Sequence, residues 1–301
     1  MNKLLIYIIS LLLDNPNELE VKLSNYLLKH KNIQDVLVLK DENFVFVFHR
    51  EGNPIQVEIN SITKSIISIL IGIAIDKKYI SNVNEKLLYF FPEIHTRAMD
   101  ERVRQISIKD LLMMSSGFPY KFGELAHQNF KSERDPFVSA CTSKLIFEPG
   151  NEFNYNEYDP HCLSALLSKV SGISTLAFAK KHLFDPLEIK DVTWTQDSQN
   201  RYYGGIGLSL SANDLMKIGL TCIKRGIYNE KKVFSSDWLN SATKLHKNGG
   251  PPLGTGYGLY WWISSVSGYH AYFAYGAGDK ILFIVPELNL VIVILTNNEF
   301  S

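Results

Sequence analysis

Apolar residues are arranged differently at the two ends of the chain and in its middle. Asp35 to Lys40 and Asn43 to His49 are rich in Val and Phe and flank the polar step Asp41-Glu42, a pattern that predicts a β-hairpin. Near the C-terminus, Gly258 to Ser265, Tyr269 to Tyr275, Lys280 to Val285 and Leu288 to Thr296 are strand-like, with turns predicted at Ser267-Gly268 and Pro286-Glu287. Between these regions the apolar spacing is helical: Leu23 to His30, Ser61 to Lys77, Ile108 to Met114, Pro160 to Val170, Thr175 to Leu183, Ala212 to Arg225 and Ser236 to Thr243. β-structure at both ends and helix in the middle predicts an α+β fold. The terminal strands form one antiparallel sheet flanked by helices, and a mostly helical lobe is inserted. The expected division is one domain over 1–301, with a sheet region of 1–75 plus 250–301 and a helical region of 76–249. A cleft between the two is where a site is expected.

The opening run Leu4 to Leu13 follows a single lysine, Lys3, and is too short to span a bilayer. It reads either as an export signal or as the first helix of the fold. No small-x-small cleavage pattern follows it, so the helix and a cytoplasmic location are favoured. The 301 residues carry 31 Lys plus Arg against 31 Asp plus Glu, which gives no reason to expect nucleic acid as a partner. Cys141, Cys162 and Cys222 are odd in number and widely spaced, so neither a disulfide framework nor a metal site is expected.

Ser61 and Lys64 open the most apolar helix and lie on one face, a turn apart. Asn60 is the expected N-cap. The serine then sits at the positive end of the helix dipole, and desolvation is expected to lower the pKa of Lys64 enough for it to take the serine proton. A second Ser-x-x-Lys, Ser241 to Lys244, precedes a polar, glycine-ended stretch and reads as a solvated helix end. Tyr155 lies in a polar, aromatic loop. Beside an ammonium it would ionise more readily and serve as base or relay; on its own it reads as a packed ring. Ala274 to Gly278 ends a strand, where glycine lets a ligand approach the backbone and where N–H groups can join that of Ser61 in holding an oxyanion. Ser115 to Gly123, which contains Tyr120, reads as a lid or as a helix-terminating turn.

Taken together and in order, these pieces resemble the serine β-lactamase and penicillin-binding-protein superfamily. The similarity is to the branch of class C β-lactamases, DD-peptidases, esterases and 6-aminohexanoate-dimer hydrolase. Ser61 to Lys64 with Ile66 to Ile75 resembles the nucleophile helix, Ile106 to Gly117 the segment leading to the cleft edge, and Glu148 to Tyr155 the second motif. Leu183 to Leu187, Val192 to Trp194, Gly205 to Leu208 with Asp214-Leu215, Tyr257 to Trp261 and Ala274 to Gly276 are similar to later landmarks. The resemblance covers about residues 35 to 297. It implies a β-lactamase/transpeptidase-like fold and acylation of Ser61. Proton transfer would be shared by Lys64 and Tyr155, and the backbone N–H groups of Ser61 and Ala277 would form the oxyanion hole. Glu157, Tyr275, Gly276 and Tyr120 are the expected substrate contacts, and no metal or organic cofactor is implied.

Two departures redirect the expected substrate. The second motif of the family ends in Asn, an amide donor, where this chain has Glu157, which only accepts when ionised. It would favour a charged Lys64 and is expected either to select an amine-bearing substrate or to point away. The third motif has Ala274 and Tyr275 where relatives often carry a cation for a substrate carboxylate. Both changes point away from penicillins and toward a small amide or ester lacking that carboxylate. An acyltransferase and a catalytically weak sensor are the alternatives.

Overall fold

The computed structural model describes residues 3–94 and 99–297. The helices are α1 (Lys3–Asp14), α2 (Leu19–Lys29), α3 (Ile62–Asp76), α4 (Ile108–Leu112), α5 (Glu124–Ser132), α6 (Pro136–Thr142), α7 (Tyr158–Ser171), α8 (Thr175–Ala179), α9 (Ala212–Ile223) and α10 (Ser236–Ala242). The strands are β1 (Ile33–Lys40), β2 (Asn43–His49), β3 (Val57–Glu58), β4 (Thr193–Trp194), β5 (Leu208–Leu210), β6 (Ile227–Tyr228), β7 (Lys231–Lys232), β8 (Gly256–Tyr257), β9 (Trp262–Val266), β10 (Tyr269–Gly276), β11 (Lys280–Val285) and β12 (Leu290–Thr296).

The architecture is the expected α+β one. A seven-stranded antiparallel sheet runs β2-β1-β12-β11-β10-β9-β8, so the N-terminal hairpin joins the C-terminal meander through β1 and β12, with Val36 opposite Ile294. Asp41 and Glu42 both adopt positive φ (49° and 63°), as do Ser267 and Gly268 (49° and 86°), the turn geometry that matches strand twist in a two-residue hairpin. The inner strands β11 and β12 are apolar almost throughout because helices cover both faces. On one face α9 lies so close that a Cβ at Gly219 would fall 2.5 Å from Val291 Cγ1. On the other face lie α1, with Leu5 and Ile8 buried, and α2, with Leu23 and Leu27 buried. The opening apolar run is therefore a packed helix of the fold. A cleft of about 650 Å³ opens between these two helices and the sheet.

Two local expectations are corrected. Gly258 to Ser265 is not one strand: Gly258 N–H donates to the Trp261 carbonyl (2.7 Å) and Tyr260 takes a φ of 63°, so a tight turn separates β8 from β9. A Cβ on Gly258 would also strike the Ala242 carbonyl at 2.2 Å. Asn60 is not the cap of α3; Ser61 holds the N-cap position, without a capping bond from its side chain. Unanticipated are α5, α6 and the small sheet β3-β5-β4, whose strand β3 leads the chain into α3. Among the described residues no single helix is long and apolar enough to cross a membrane.

Candidate active site

The approach to α3 is fixed by backbone. Ile59 N–H donates to the Leu208 carbonyl at 2.9 Å, extending the β3–β5 pairing to within two residues of Ser61. Asn60 then turns the chain with a φ of 50°, a left-handed conformation that asparagine tolerates better than most residues. Its side-chain Nδ2 donates to the Ala277 carbonyl at 2.9 Å, binding the turn to the end of β10. Gly276 completes the junction, since a Cβ there would lie 2.3 Å from the Ile59 carbonyl oxygen. Ser61 remains partly exposed at the mouth of α3, while every residue from Ile62 to Ala74 is buried.

Lys64 is only 1% exposed, and its ammonium is fully engaged. Nζ donates to Ser61 Oγ (2.9 Å), to Glu157 Oε1 and Oε2 (2.9 and 3.0 Å) and to the Gly205 carbonyl (3.2 Å). Burial works against its charge, but the Glu157 carboxylate and then Tyr155 outweigh burial and hold its pKa above the ordinary lysine value. The expected lowering is thus reversed, because Glu157 faces inward and pairs with the lysine. Glu157 holds the N-cap position of α7 yet makes no side-chain capping bond; its carboxylate is directed to Lys64 instead. It is 4% exposed, so it is not a free anion offered to a substrate ammonium.

The Tyr155 hydroxyl is within hydrogen-bonding reach of Ser61 and Lys64, and the Lys64 ammonium lies 4.9 Å from its ring centroid. Burial raises the phenol pKa; Lys64 draws it down, Glu157 pushes it up, and the balance lies above the ordinary tyrosine value. Tyr155 therefore holds its proton more tightly than an ordinary tyrosine, contrary to the expected ease of ionisation. Its ring is enclosed by other aromatics: Trp262 stacked at 5.7 Å, Phe122 edge-on at 5.5 Å and Tyr257 edge-on at 6.4 Å.

Gly205 packs directly against Glu157 and Lys64. A Cβ there would lie 2.1 Å from Glu157 Oε2 and 2.9 Å from Lys64 Nζ, and one on Gly204 would lie 1.8 Å from the Pro160 carbonyl oxygen. Sequence reasoning marked Gly205 as a landmark but missed this role, which the adjacent glycines Gly204-Gly205 could have signalled. It also missed His127 on α5. Burial holds that imidazole below the usual histidine range, and the charges of Glu157 and Lys64 both act on it. Tyr120 is buried with Phe130, Tyr203 and Ile206 and packs edge-on to Tyr158 at 5.8 Å. Burial and the Glu157 charge push its phenol up.

Of the strand-end residues, Gly276 and Ala277 adjoin the start of α3, whereas Tyr275 turns to the other face. Its hydroxyl donates to Asp279 Oδ1 (3.3 Å), its pKa is pushed up to about 12 chiefly by burial, and its side chain lines the cleft under α1 and α2. The strand's alternation explains this, since Phe273 lines the same cleft. The Ala277 carbonyl also accepts from Lys280 Nζ at 3.3 Å, so two donors set the orientation of that peptide. The second Ser-x-x-Lys spans the end of α10, where the Ser241 carbonyl accepts from His246. Among the described residues no cluster of three or more His, Cys, Asp or Glu side chains could hold a metal ion.

Residues 56–301 match the family model described as Beta-lactamase. Solved structures share the fold at low identity. A Bacillus anthracis protein assigned as a 6-aminohexanoate-dimer hydrolase is 18% identical with a TM-score of 0.78, over 91% of this chain and 76% of its own. The octameric penicillin-binding protein homologue of Pyrococcus abyssi is 19% identical with a TM-score of 0.74, over 95% and 74%. EstCE1, a hydrolase with promiscuous acyltransferase activity, is 17% identical with a TM-score of 0.71, over 91% of each chain. No curated protein matches the sequence.

Proposed function

The chain belongs to the β-lactamase family, and within it we propose a serine hydrolase that forms an acyl-enzyme on Ser61 with a small amide or ester. The observation that carries this reading is the contact of Lys64 Nζ with Ser61 Oγ (2.9 Å), at the mouth of a buried helix and within reach of the Tyr155 hydroxyl. Ser61 Oγ attacks the substrate carbonyl and loses its proton to the Lys64 side. The developing oxyanion is held by the N–H groups of Ser61 and Ala277. Tyr155, a neutral phenol, has a proton to give the departing amine or alcohol and recovers one as water attacks the acyl-enzyme.

The substrate class follows from what surrounds these groups. Ala274 and Tyr275 stand where a cation would hold a carboxylate, and Tyr275 faces the far side of the sheet, so activity on penicillins is weak or absent in this reading. Phe122, exposed and edge-on to Tyr155, gives the approach to Ser61 an apolar side that suits an apolar acyl or leaving group. A fluorophosphonate probe followed by mass spectrometry tests the proposal: wild type gains one adduct on Ser61 and Ser61→Ala gains none. Unchanged labelling of Ser61→Ala would remove Ser61 as nucleophile.

A second reading, acyl transfer, draws support from the exposed Phe122 ring beside Tyr155, an apolar surface on which an organic acceptor can pack. EstCE1, alike in fold, is described as having such activity beside hydrolysis. Product analysis of an activated ester in the presence of an added alcohol or amine separates the two.

A further inference from the structure

We propose that Glu157 is the terminal proton acceptor of the acylation step, so that the serine proton is taken up through Lys64 by a Ser61–Lys64–Glu157 relay. This deepens the hydrolase reading and rests on it.

A lysine ammonium has three N–H bonds and no lone pair. Here Ser61 Oγ, the Glu157 carboxylate and the Gly205 carbonyl accept from Nζ at 2.9 to 3.2 Å, with the Tyr155 hydroxyl also within reach. Such a lysine can accept a proton only after giving one up. Gly205 offers a carbonyl, which cannot hold a proton at ordinary pH, and Tyr155 is already protonated. Glu157 is the one contacting group that can take the proton. Its two oxygens flank Nζ, and both partners are almost wholly buried, at 1% and 4% exposure. In such a site the separation of charge in the ion pair is itself costly, so transfer within the pair, to a neutral amine and a neutral carboxylic acid, is far less uphill than in water.

A proton first passes from Lys64 Nζ to Glu157 Oε, leaving a neutral amine. The amine then turns its lone pair toward Ser61 and takes the hydroxyl proton. The Oγ–carbon bond forms, and the carbonyl π electrons move onto the oxygen held by the two N–H groups. Lys64 ends as an ammonium and Glu157 as a carboxylic acid. The oxyanion collapses, the bond to the leaving group breaks, and that group takes the Tyr155 proton. Tyr155 is restored by the Glu157 proton returning through Lys64. For hydrolysis the same path takes a proton from the attacking water and returns one to Ser61 Oγ.

Gly205 supports this assignment from the backbone side. Any side chain at that position would enter the space occupied by Glu157 Oε2. Glu157 acts on Ser61 through Lys64, and its position is set by α7, at the opposite end of a 93-residue separation from the lysine.

The experiment measures the rate of covalent labelling by a fluorophosphonate from pH 5 to 10 for wild type, Glu157→Gln and Glu157→Asp. In Glu157→Gln the carboxylate that opposes burial at Lys64 is gone, so the lysine pKa falls. The relay predicts labelling of Glu157→Gln slower than wild type at the acid end of the range and recovering as pH rises through that lowered value, where Lys64 loses its proton unaided. It predicts slower labelling with the wild-type pH shape in Glu157→Asp, which keeps the acceptor and moves it away from Nζ. Glu157→Gln labelling at the wild-type rate with an unchanged profile would overturn the relay. If Glu157→Gln does not fold, Glu157→Asp decides: labelling at the wild-type rate overturns the relay. Because Ser61→Ala is assayed with the same probe, loss of the relay is distinguishable from loss of the serine as nucleophile.

Discussion

Asn60, the residue before Ser61, is joined to Ala277, 217 positions away, through one hydrogen bond of 2.9 Å from its Nδ2 to the carbonyl oxygen. It holds together the two segments that supply the backbone N–H groups of the proposed oxyanion hole. Two properties of Asn60 are combined here: the amide donor and tolerance of a φ of 50°. Substitutions separate them. Asn60→Gly keeps the turn and loses the donor; Asn60→Ala loses both. Both variants are expected to acylate about fivefold more slowly, as loss of roughly 1 kcal/mol implies. Asn60→Ala alone is expected to lose a further ~1 kcal/mol of stability from the strained turn. Labelling rates and urea midpoints check the two effects.

Gly204 and Gly205 are expected to respond differently to alanine. At Gly204 the new Cβ meets the Pro160 backbone, which cannot step aside, so Gly204→Ala is expected to unfold at much lower urea. At Gly205 the atoms met are the ends of Glu157 and Lys64. Gly205→Ala is therefore expected to fold with these side chains displaced, and to lose about 100-fold or more in labelling rate. Circular dichroism melts alongside labelling distinguish the two outcomes.

Tyr155→Phe removes one hydroxyl and keeps the ring that packs on Trp262. Little change in thermal stability is expected. Turnover of an amide with a poor leaving group should fall by about 100-fold or more, and turnover of an activated ester by less, because the activated leaving group needs no proton. Comparing the two substrates in the same variant is the check.

Asp159, fully buried behind the second motif, gives a pH signature in stability. Burial raises its pKa to about 8; Ser116 and Asn156 approach closely enough to temper the rise, but neither carboxyl oxygen has a well-directed hydrogen-bond partner. The unfolded chain loses this proton near 3.8. Between those values the folded protein holds one proton more than the unfolded one. The stabilisation is complete below the unfolded value and is lost as pH rises through the folded one, at about 1.4 kcal/mol per pH unit. Asp159→Asn should flatten urea midpoints measured at pH 5, 6, 7 and 8 and raise those at the upper end.

The local features of the fold were legible because their causes are local. Asp41-Glu42 and Ser267-Gly268 punctuate strands whose composition is plain, and the apolar stretch from Ile66 to Ile75 has no place except in a core. Gly258 to Ser265 misled because Tyr260 adopts a left-handed turn that its residue type does not advertise. In the site, Ser61, Lys64 and Tyr155 were legible through the order of several motifs, and the structure brings the three together. The protonation states were not. They depend on where the Glu157 carboxylate points, a relation across 93 residues that no spacing rule encodes. Asn60 was read as a cap because its neighbours in sequence were visible and Ala277 was not. Tyr275 was assigned to the substrate because a one-residue alternation decides which face of a strand a side chain meets, and the motif alone does not give it.

Trp262 stacks on Tyr155 at 5.7 Å, within the aromatic cluster that packs around the Tyr155 ring. An indole so placed is an optical sensor of the site. Acylation of Ser61 changes both the hydration and the electric field beside that ring, so intrinsic tryptophan emission should report the arrival and departure of an acyl group in real time. The other tryptophans, Trp194, Trp238 and Trp261, supply a constant background packed elsewhere in the core.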